Sequence, residues 1–398
     1  MRILRELRDE HVIKVVTGMR RCGKSTLFEM FADELRVNVP KEQIQFFNFE
    51  DLDTFSIGDY KDIHRFITQR LVPGAMNYIF LDEAQNIAGF ERVVDSLHIK
   101  KNVDLYITGS NAWLLSGELA TLLTGRYIEI SMLPFSFAEY REACPGAPNI
   151  SKEESLARFL YHGGMPQSLE ISQRSPTQAN RFVASVLSTV LEKDIFRRHS
   201  RTDKQAFEKI LDYALDSVGS LVSPRSISDT LRSNGGIVDK GAVGRYLSYM
   251  EEAFLLYKVP RYDVRGKNIL RTLDKYYMAD PAFRKIRLGR GSAADRGHLL
   301  ENAIYLELRR RNREVYVGKL REAEVDFIAV DDDGYISYYQ VAYTVTDPVT
   351  LRRELAPLRS IGDSNPKYLL TTDRDVNPVY DGIRKLNAAD WLLNGAQS

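Results

Sequence analysis

Cysteine is almost missing from this sequence. Cys22 and Cys144 alone occur in 398 residues, far apart and in no CxxC spacing, which excludes a disulfide framework and a cysteine-built metal site and points to a reducing cytoplasm. Net charge is nearly absent as well. The 55 Lys and Arg against 54 Asp and Glu leave +1, so no global positive field announces nucleic acid or an anionic membrane, and any such contact has to be local. Long apolar runs are lacking. Stretches such as Tyr78-Ile79-Phe80-Leu81 fall far short of the roughly 20 residues that span a bilayer. The opening Met1-Arg2-Ile3-Leu4-Arg5-Glu6-Leu7-Arg8 alternates apolar and charged residues instead of carrying the apolar core of a signal peptide. The expected setting is the cytoplasm, away from any membrane. The six histidines, His11, His64, His98, His162, His199 and His298, share no ligand spacing, so no zinc site is expected. No internal repeat or low-complexity tract is present.

What remains is ordinary globular composition, 44% hydrophobic and 27% charged, in a chain long enough for two to four domains at about 100–200 residues each. From Val12 to Met132 short apolar runs (Val12 to Thr17, Ile44 to Phe49, Tyr78 to Leu81, Leu105 to Thr108, Tyr127 to Met132) alternate with helix-like segments. That pattern predicts an α/β domain with a parallel sheet covered on both faces, residues 1–150, closed by the Pro/Gly-rich stretch from Cys144 to Asn149. Apolar residues at 3–4 spacing then predict a helical lid over 151–202. Three helix signals (Phe207 to Leu215, Ser226 to Leu231, Lys240 to Met250) and two extended stretches (Phe254 to Tyr262, Ile269 to Met278) outline a winged helix over 203–285. An amphipathic helix and strands over 286–398 predict a separate α/β core.

Gly18-Met19-Arg20-Arg21-Cys22-Gly23-Lys24-Ser25 fits G-x-x-x-x-G-K-[ST] at every fixed position, after an apolar run and before the helical run that Thr26 opens. Glycines let main-chain N–H groups turn inward around phosphate, and the helix start adds donors and partial positive charge. The expected phosphate contacts are Gly18, Arg20, Arg21, Cys22, Gly23, Lys24, Ser25 and Thr26. Lys24 would pair with the β- and γ-phosphates and the Ser25 hydroxyl would ligate Mg²⁺. A P-loop needs a second carboxylate on an adjacent strand. Asn77-Tyr78-Ile79-Phe80-Leu81-Asp82-Glu83 supplies Asp82 for the metal and Glu83 to polarise the attacking water. Ser110 or Asn111, where the run from Leu105 ends, is expected at the γ-phosphate or the lytic water. Arg126 is a candidate to stabilise the transferred phosphoryl in cis or across a subunit interface.

These residues carry a resemblance. Val15 to Thr26, Phe80 to Glu83, Ile107 to Asn111, Thr124 to Tyr127 and Leu133 to Phe137, together with His162-Gly163-Gly164-Met165-Pro166 and Glu192-Lys193-Asp194, resemble the prokaryotic AAA-type ATPases that carry a C-terminal domain of unknown function. The resemblance implies ATP as the nucleotide, Walker A at Gly18 to Ser25, Walker B at Asp82 and Glu83, a sensor at Ser110 or Asn111, and an arginine finger at Arg126. The absence of an N/T-K-x-D segment agrees with ATP over GTP.

The segment from Lys258 to Lys275 holds six basic residues (Lys258, Arg261, Arg265, Lys267, Arg271, Lys275) against Asp263 and Asp274. With the helix from Lys240 it offers residues 240–275 as a DNA-contacting surface, the alternative being a winged helix used only for packing or protein contacts. Glu301, Glu324-Val325-Asp326-Phe327 and Tyr339-Gln340-Val341-Ala342-Tyr343 resemble a restriction-endonuclease-like core. Gln340 and Ala342 stand where active members carry an E-x-K acid and lysine, so nuclease activity is expected to be lost; Lys319 is the nearest lysine that could have migrated. Two functions follow. One is an Mg²⁺-dependent ATPase, a candidate homo-oligomer, that moves its winged-helix and nuclease-like parts. The other is a nucleotide-gated switch or scaffold with negligible turnover.

Overall fold

The structure, a computed structural model, describes residues 1–55, 57–115, 125–144, 150–233, 239–270, 273–289, 295–321, 323–374 and 378–395. Its chain divides into two compact units, Met1–Met132 with Glu252–Phe254, and Leu133–Glu251 with Leu255–Ser398. The division falls at Met132 instead of at 150, because the helix Phe137–Ala143, started by a Ser136–Glu139 capping box, packs within the second unit. The Pro/Gly-rich residues 145–149 lie outside the described residues. The segments expected as lid, winged helix and nuclease-like core all fall within that second unit, save Glu252–Phe254. Among the described residues no helix is long and apolar enough to cross a membrane.

The first unit is built on five parallel strands: β1 (Ile13–Thr17), β2 (Ile44–Asn48), β3 (Asn77–Asp82), β4 (Val103–Gly109) and β5 (Tyr127–Ser131). Alternate residues face opposite sides. Ile13, Val15, Ile79, Leu81, Leu105 and Ile107 meet the helices Tyr60–Thr68 and Phe90–His98. Val16, Tyr78, Phe80 and Tyr106 meet Phe28, Phe31, Ala32 and Leu35 of the helix Lys24–Arg36. Both faces are therefore covered, which is why the strands read as unbroken apolar runs. Lys14 interrupts the first run. Its ammonium is fully buried against Asp104, which also accepts from the Tyr106 hydroxyl at 2.7 Å.

Strand order is β2-β3-β4-β1-β5. The acid-bearing strand β3 is therefore not adjacent to β1, as the sequence led us to expect. β4 lies between them, and Thr108 on β4 becomes the link described below.

Among the described residues of the second unit ten strands follow, β6 (Leu256–Val259), β7 (Arg261–Asp263), β8 (Asn268–Ile269), β9 (Lys275–Met278), β10 (Glu314–Lys319), β11 (Glu324–Val330), β12 (Ile336–Val341), β13 (Lys367–Thr371), β14 (Val379–Tyr380) and β15 (Ile383–Asn387). The three expected helices before β6 are present as Lys204–Asp216, Pro224–Ser233 and Lys240–Glu252. The expected hairpin is split at Pro260. β6 and β9 pair with each other, whereas β7 and β8 join the edge of an eight-stranded sheet through β10. The outer part of this hairpin is thus sheet edge, not a free wing.

The His162-Gly163-Gly164-Met165-Pro166 turn has a steric reason. Gly163 ends the helix Lys152–His162 at φ +80°, and a Cβ there would run into the Asp280 carboxylate. Gly164 N–H donates to Asp280 Oδ2 at 2.8 Å, and a Cβ on Gly164 would lie 2.5 Å from the Phe135 carbonyl oxygen. Backbone cannot yield as a side-chain tip can. Gly164→Ala is expected to cost about 1–3 kcal/mol, whereas Gly362→Ala, where a Cβ meets open space, should stay within about 0.5 kcal/mol. Calorimetric unfolding of the two variants checks this; equal midpoints contradict it.

Candidate functional site

Because the strands of the first unit are parallel, the turn after β1, the acids after β3 and the residues after β4 share one edge of the sheet. Gly18 leaves β1 with φ +156°, and a Cβ there would strike the Met132 carbonyl oxygen. Arg21 and Gly23 are left-handed, at φ +68° and +109°. This backbone opens into the helix Lys24–Arg36, whose first-turn N–H groups have no side-chain cap. Lys24 is buried and donates to the carbonyl oxygens of Gly18 at 3.0 Å and Met19 at 3.2 Å, with Glu83 Oε1 at 3.5 Å. Ser25 follows, and Thr26 is exposed. Cys22 is buried with its Sγ 3.6 Å from the Met132 oxygen, and burial pushes its thiol pKa up, which leaves it an inert packing group. Arg21 is exposed, while Arg20 is drawn to Glu50 at 2.5 Å and to Ser110 Oγ at 3.4 Å.

Thr108 connects the two acids. Its hydroxyl donates to Asp82 Oδ1 at 2.5 Å and accepts the Glu83 N–H at 2.9 Å. That second bond holds Glu83 at φ +52°, a left-handed conformation that costs a non-glycine residue roughly 1 kcal/mol or more. Glu83 Oε2 then accepts from Gln85 Nε2 at 2.5 Å and from Ser110 Oγ at 3.0 Å. Burial pushes the Glu83 carboxyl up, but Lys24 and Arg20, with the bonds from Gln85 and Ser110, outweigh it and hold its pKa below the ordinary range. Asp82 goes the other way. Burial raises its pKa, and the Ser25 and Thr108 hydroxyls only partly oppose the rise.

Asp82 Oδ2 is buried and has no hydrogen-bond partner. An orphaned carboxylate oxygen beside a hydroxyl fits a divalent cation held by Asp82 and Ser25. Among the described residues no group of three or more His, Cys, Asp or Glu is arranged to hold a metal, so the remaining ligands of such a cation would be phosphate oxygens and water.

The expected residues divide as follows. Gly18, Gly23, Lys24, Ser25, Asp82, Glu83 and Ser110 come together at this edge. Asn111 is fully buried next to Ser110, its carbonyl accepting from Leu114 N–H. Arg126 does not join them. It precedes Tyr127, which pairs with Ile13, while Ser131 pairs with Thr17. At about 3.3 Å per residue that places it roughly 16 Å back along the strand, at the opposite edge. There it is exposed and paired with Asp95 at 2.6 Å, apart from the phosphate-binding turn. Thr108, Gln85 and Glu50 were not singled out from the sequence. A threonine closing an apolar run was a weak signal for the first; the other two had none.

In the second unit the acids singled out as a nuclease-like core gather around a lysine that the sequence placed in the basic strip instead. Lys275 Nζ is buried with Glu324 Oε1 at 2.7 Å, Glu301 Oε1 at 3.1 Å and Asp326 Oδ1 at 3.5 Å. Tyr277 donates to Glu301 at 2.7 Å, and Val341 N–H donates to Asp326 Oδ2 at 2.8 Å. Gln340 turns its amide to Glu354 at 3.0 Å, and Ala342 packs against apolar neighbours. Lys319 lies opposite Asp263 in the β10–β7 pairing and opposite Glu324 in the β10–β11 pairing, but the ion pairs with Glu301, Glu324 and Asp326 described above are those of Lys275. Lys275, not Lys319, is therefore the lysine among them. It is also lost to the expected basic surface by burial; Lys258 is exposed and paired with Asp274 at 3.0 Å, and Arg271 lies outside the described residues.

Burial and the neighbouring Glu301 push Asp326 up to about 7, against the pull of Lys275. Lys275→Met removes the cation and leaves three clustered acids, an expected loss of about 3–5 kcal/mol at pH 8. Protonation of Asp326 replaces the missing charge as pH falls, so the loss should shrink at pH 5.5. Denaturant titrations of wild type and variant at the two pH values measure it, and a pH-independent difference contradicts the charge argument.

Residues 10–141 match the family of AAA domains, and residues 153–293 match a domain of unknown function, DUF8612. A Haemophilus influenzae protein described as uncharacterized is 35% identical over 98% of this chain and 96% of its own. A Methanocaldococcus jannaschii protein, likewise uncharacterized, is 25% identical over 95% and 85%. Among solved structures, the Walker-type ATPase PABY2304 of Pyrococcus abyssi aligns over 72% of this chain and 94% of that one, with TM-score 0.46 and 16% identity. Its phosphate-binding turn, its acid pair and its full-length match to the Haemophilus influenzae protein place the chain in that protein's family, built on an N-terminal AAA domain of ATPase type.

Proposed function

We propose that this chain is an Mg²⁺-dependent ATPase. The observation that carries the reading is the convergence of Lys24, Asp82 and Glu83 at the phosphate-binding turn, with Asp82 Oδ2 left without a hydrogen-bond partner. Glu83 is held ionised by Lys24 and Arg20 and oriented by Thr108, Gln85 and Ser110, as a group that polarises water must be. Asp82 keeps one oxygen free for a cation that Ser25 shares. A bound Mg²⁺ would supply charge neutralisation on the β- and γ-phosphates. Lys24, now held by two carbonyl oxygens, exchanges them for phosphate oxygens. The inward N–H groups of Gly18 to Ser25 bind the phosphate chain.

Hydrolysis acts on the second unit, which is where we place contact with DNA, at residues 240–275. Support for that is local: Arg265 and Lys267 are exposed on the β7–β8 turn. The acid cluster around Lys275 does not cut DNA in this reading, because an ammonium fills the space a catalytic cation needs. Arg126 acts across the interface of a homo-oligomer, the finger role that its distance from the turn favours. The protein works in the cytoplasm.

Lys24→Ala removes the cation that meets the phosphates and should abolish nucleotide binding. Glu83→Gln removes only the base, so binding should persist while turnover falls by about 10²–10⁴-fold. Equilibrium binding of a fluorescent ATP analogue and phosphate release measure the two effects; undiminished turnover by Glu83→Gln protein contradicts the assigned role.

A further inference from the structure

We infer that the second unit holds a pocket for one nucleotide of a single nucleic-acid strand, at the junction of the turn 198–202 and the helix Lys240–Glu252. This deepens the DNA reading of residues 240–275, rests on it, and places the contact on the helix instead of on the hairpin. The cavity measures about 420 Å³ and is lined by Arg198, His199, Thr202 and Arg201 of the turn and by Arg245 and Tyr249 of the helix, with no carboxylate among its lining residues. Arg201 and Arg245 are exposed and make no ion pair among the described residues. Thr202 Oγ1 is buried with no hydrogen-bond partner.

The guanidinium groups of Arg201 and Arg245 and the Thr202 hydroxyl, around a cavity with no carboxylate in its lining, select an anion, and the guanidinium fork matches the geometry of phosphate oxygens. The volume exceeds what one phosphate ion fills and lies at the lower end of the about 300–1,000 Å³ usual for small-molecule sites, the size of a single nucleotide. An aromatic platform is present as well. His199 and Tyr249 stack face to face, with ring centroids 3.4 Å apart and planes 7° apart. Stacking fixes the Tyr249 ring in the pocket wall, with Tyr246 tilted beside it at 6.0 Å between centroids, and a base entering the cavity meets this aromatic cluster, as in binders that stack single strands without reading sequence. An intact duplex cannot lower one stacked base into such a cavity. Arg201 and Arg245, being exposed, also meet the phosphates of neighbouring nucleotides in a strand.

The test uses full-length protein carrying Lys24→Ala, without ATP, so that the P-loop does not contribute. Fluorescence anisotropy follows a 5′-fluorescein single strand of 12 mixed-sequence deoxynucleotides, the same sequence as a duplex, and competition by AMP. The single strand is expected to bind more tightly than the duplex. Adding Arg201→Ala and Arg245→Ala together should weaken the strand by about tenfold or more, as lost charge-assisted contacts do. Tyr249→Ala should weaken it at unchanged salt dependence, which a loss of charge would not do. Arg265→Ala with Lys267→Ala should change it less than twofold. If the hairpin pair weakens binding while the Arg201 and Arg245 pair does not, the pocket is wrong and the DNA reading stands. Tight AMP binding without strand binding overturns the pocket as a strand site. No binding of any probe overturns both.

Discussion

The buried ammonium of Lys24 is the charge around which the first unit is arranged. An ion of that kind, almost out of water, is tolerated only with partners on every side. Two carbonyl oxygens of the turn and Glu83 supply them, and each belongs to an element that the parallel sheet brings to the same edge. From this follow the closeness of Gly18 to the Met132 carbonyl, the left-handed Glu83, and the three groups that converge on that carboxylate. Phosphate entering the turn replaces weak carbonyl partners with charged ones. The site is preorganised for the ligand and under-satisfied without it, which is how binding free energy is directed to a reacting centre.

The second unit meets a similar problem with another outcome. Lys275 has three acids around it, and a hydrogen-bonded tyrosine and a backbone N–H complete their shell. Such a knot carries its own cation and has no need of a foreign one. Its elevated Asp326 reflects acids crowded beyond what one ammonium neutralises, a sign of structural tension more than of catalysis. The pocket beside Arg201 and Arg245 is the converse case, with two exposed cations that make no ion pair among the described residues.

How much was legible in the sequence depended on how local each feature is. The phosphate turn could be read because glycine, lysine and serine sit at fixed spacing in one segment, and the acids because they end an apolar run. The five strands of the first sheet appear within a residue or two of their expected places, since a sheet covered on both faces writes continuous hydrophobic runs. Strand order was not legible. It put β4 between β1 and β3 and thereby made Thr108 the bridge, and it carried Arg126 to the far edge. The hairpin after Phe254 failed for the same reason: Pro260 marks the break, but nothing local says which sheet the outer part joins. Lys275 looked like one more basic residue in an exposed strip because the acids that bury it come from segments far along the chain.

Steady-state phosphate release from ATP by the unmodified full-length protein tests the central claim most directly. The account predicts many phosphates per chain, with release abolished when EDTA removes the divalent cation. Tight stoichiometric ATP binding with less than one phosphate released per chain would contradict it and make the protein a switch set by nucleotide occupancy.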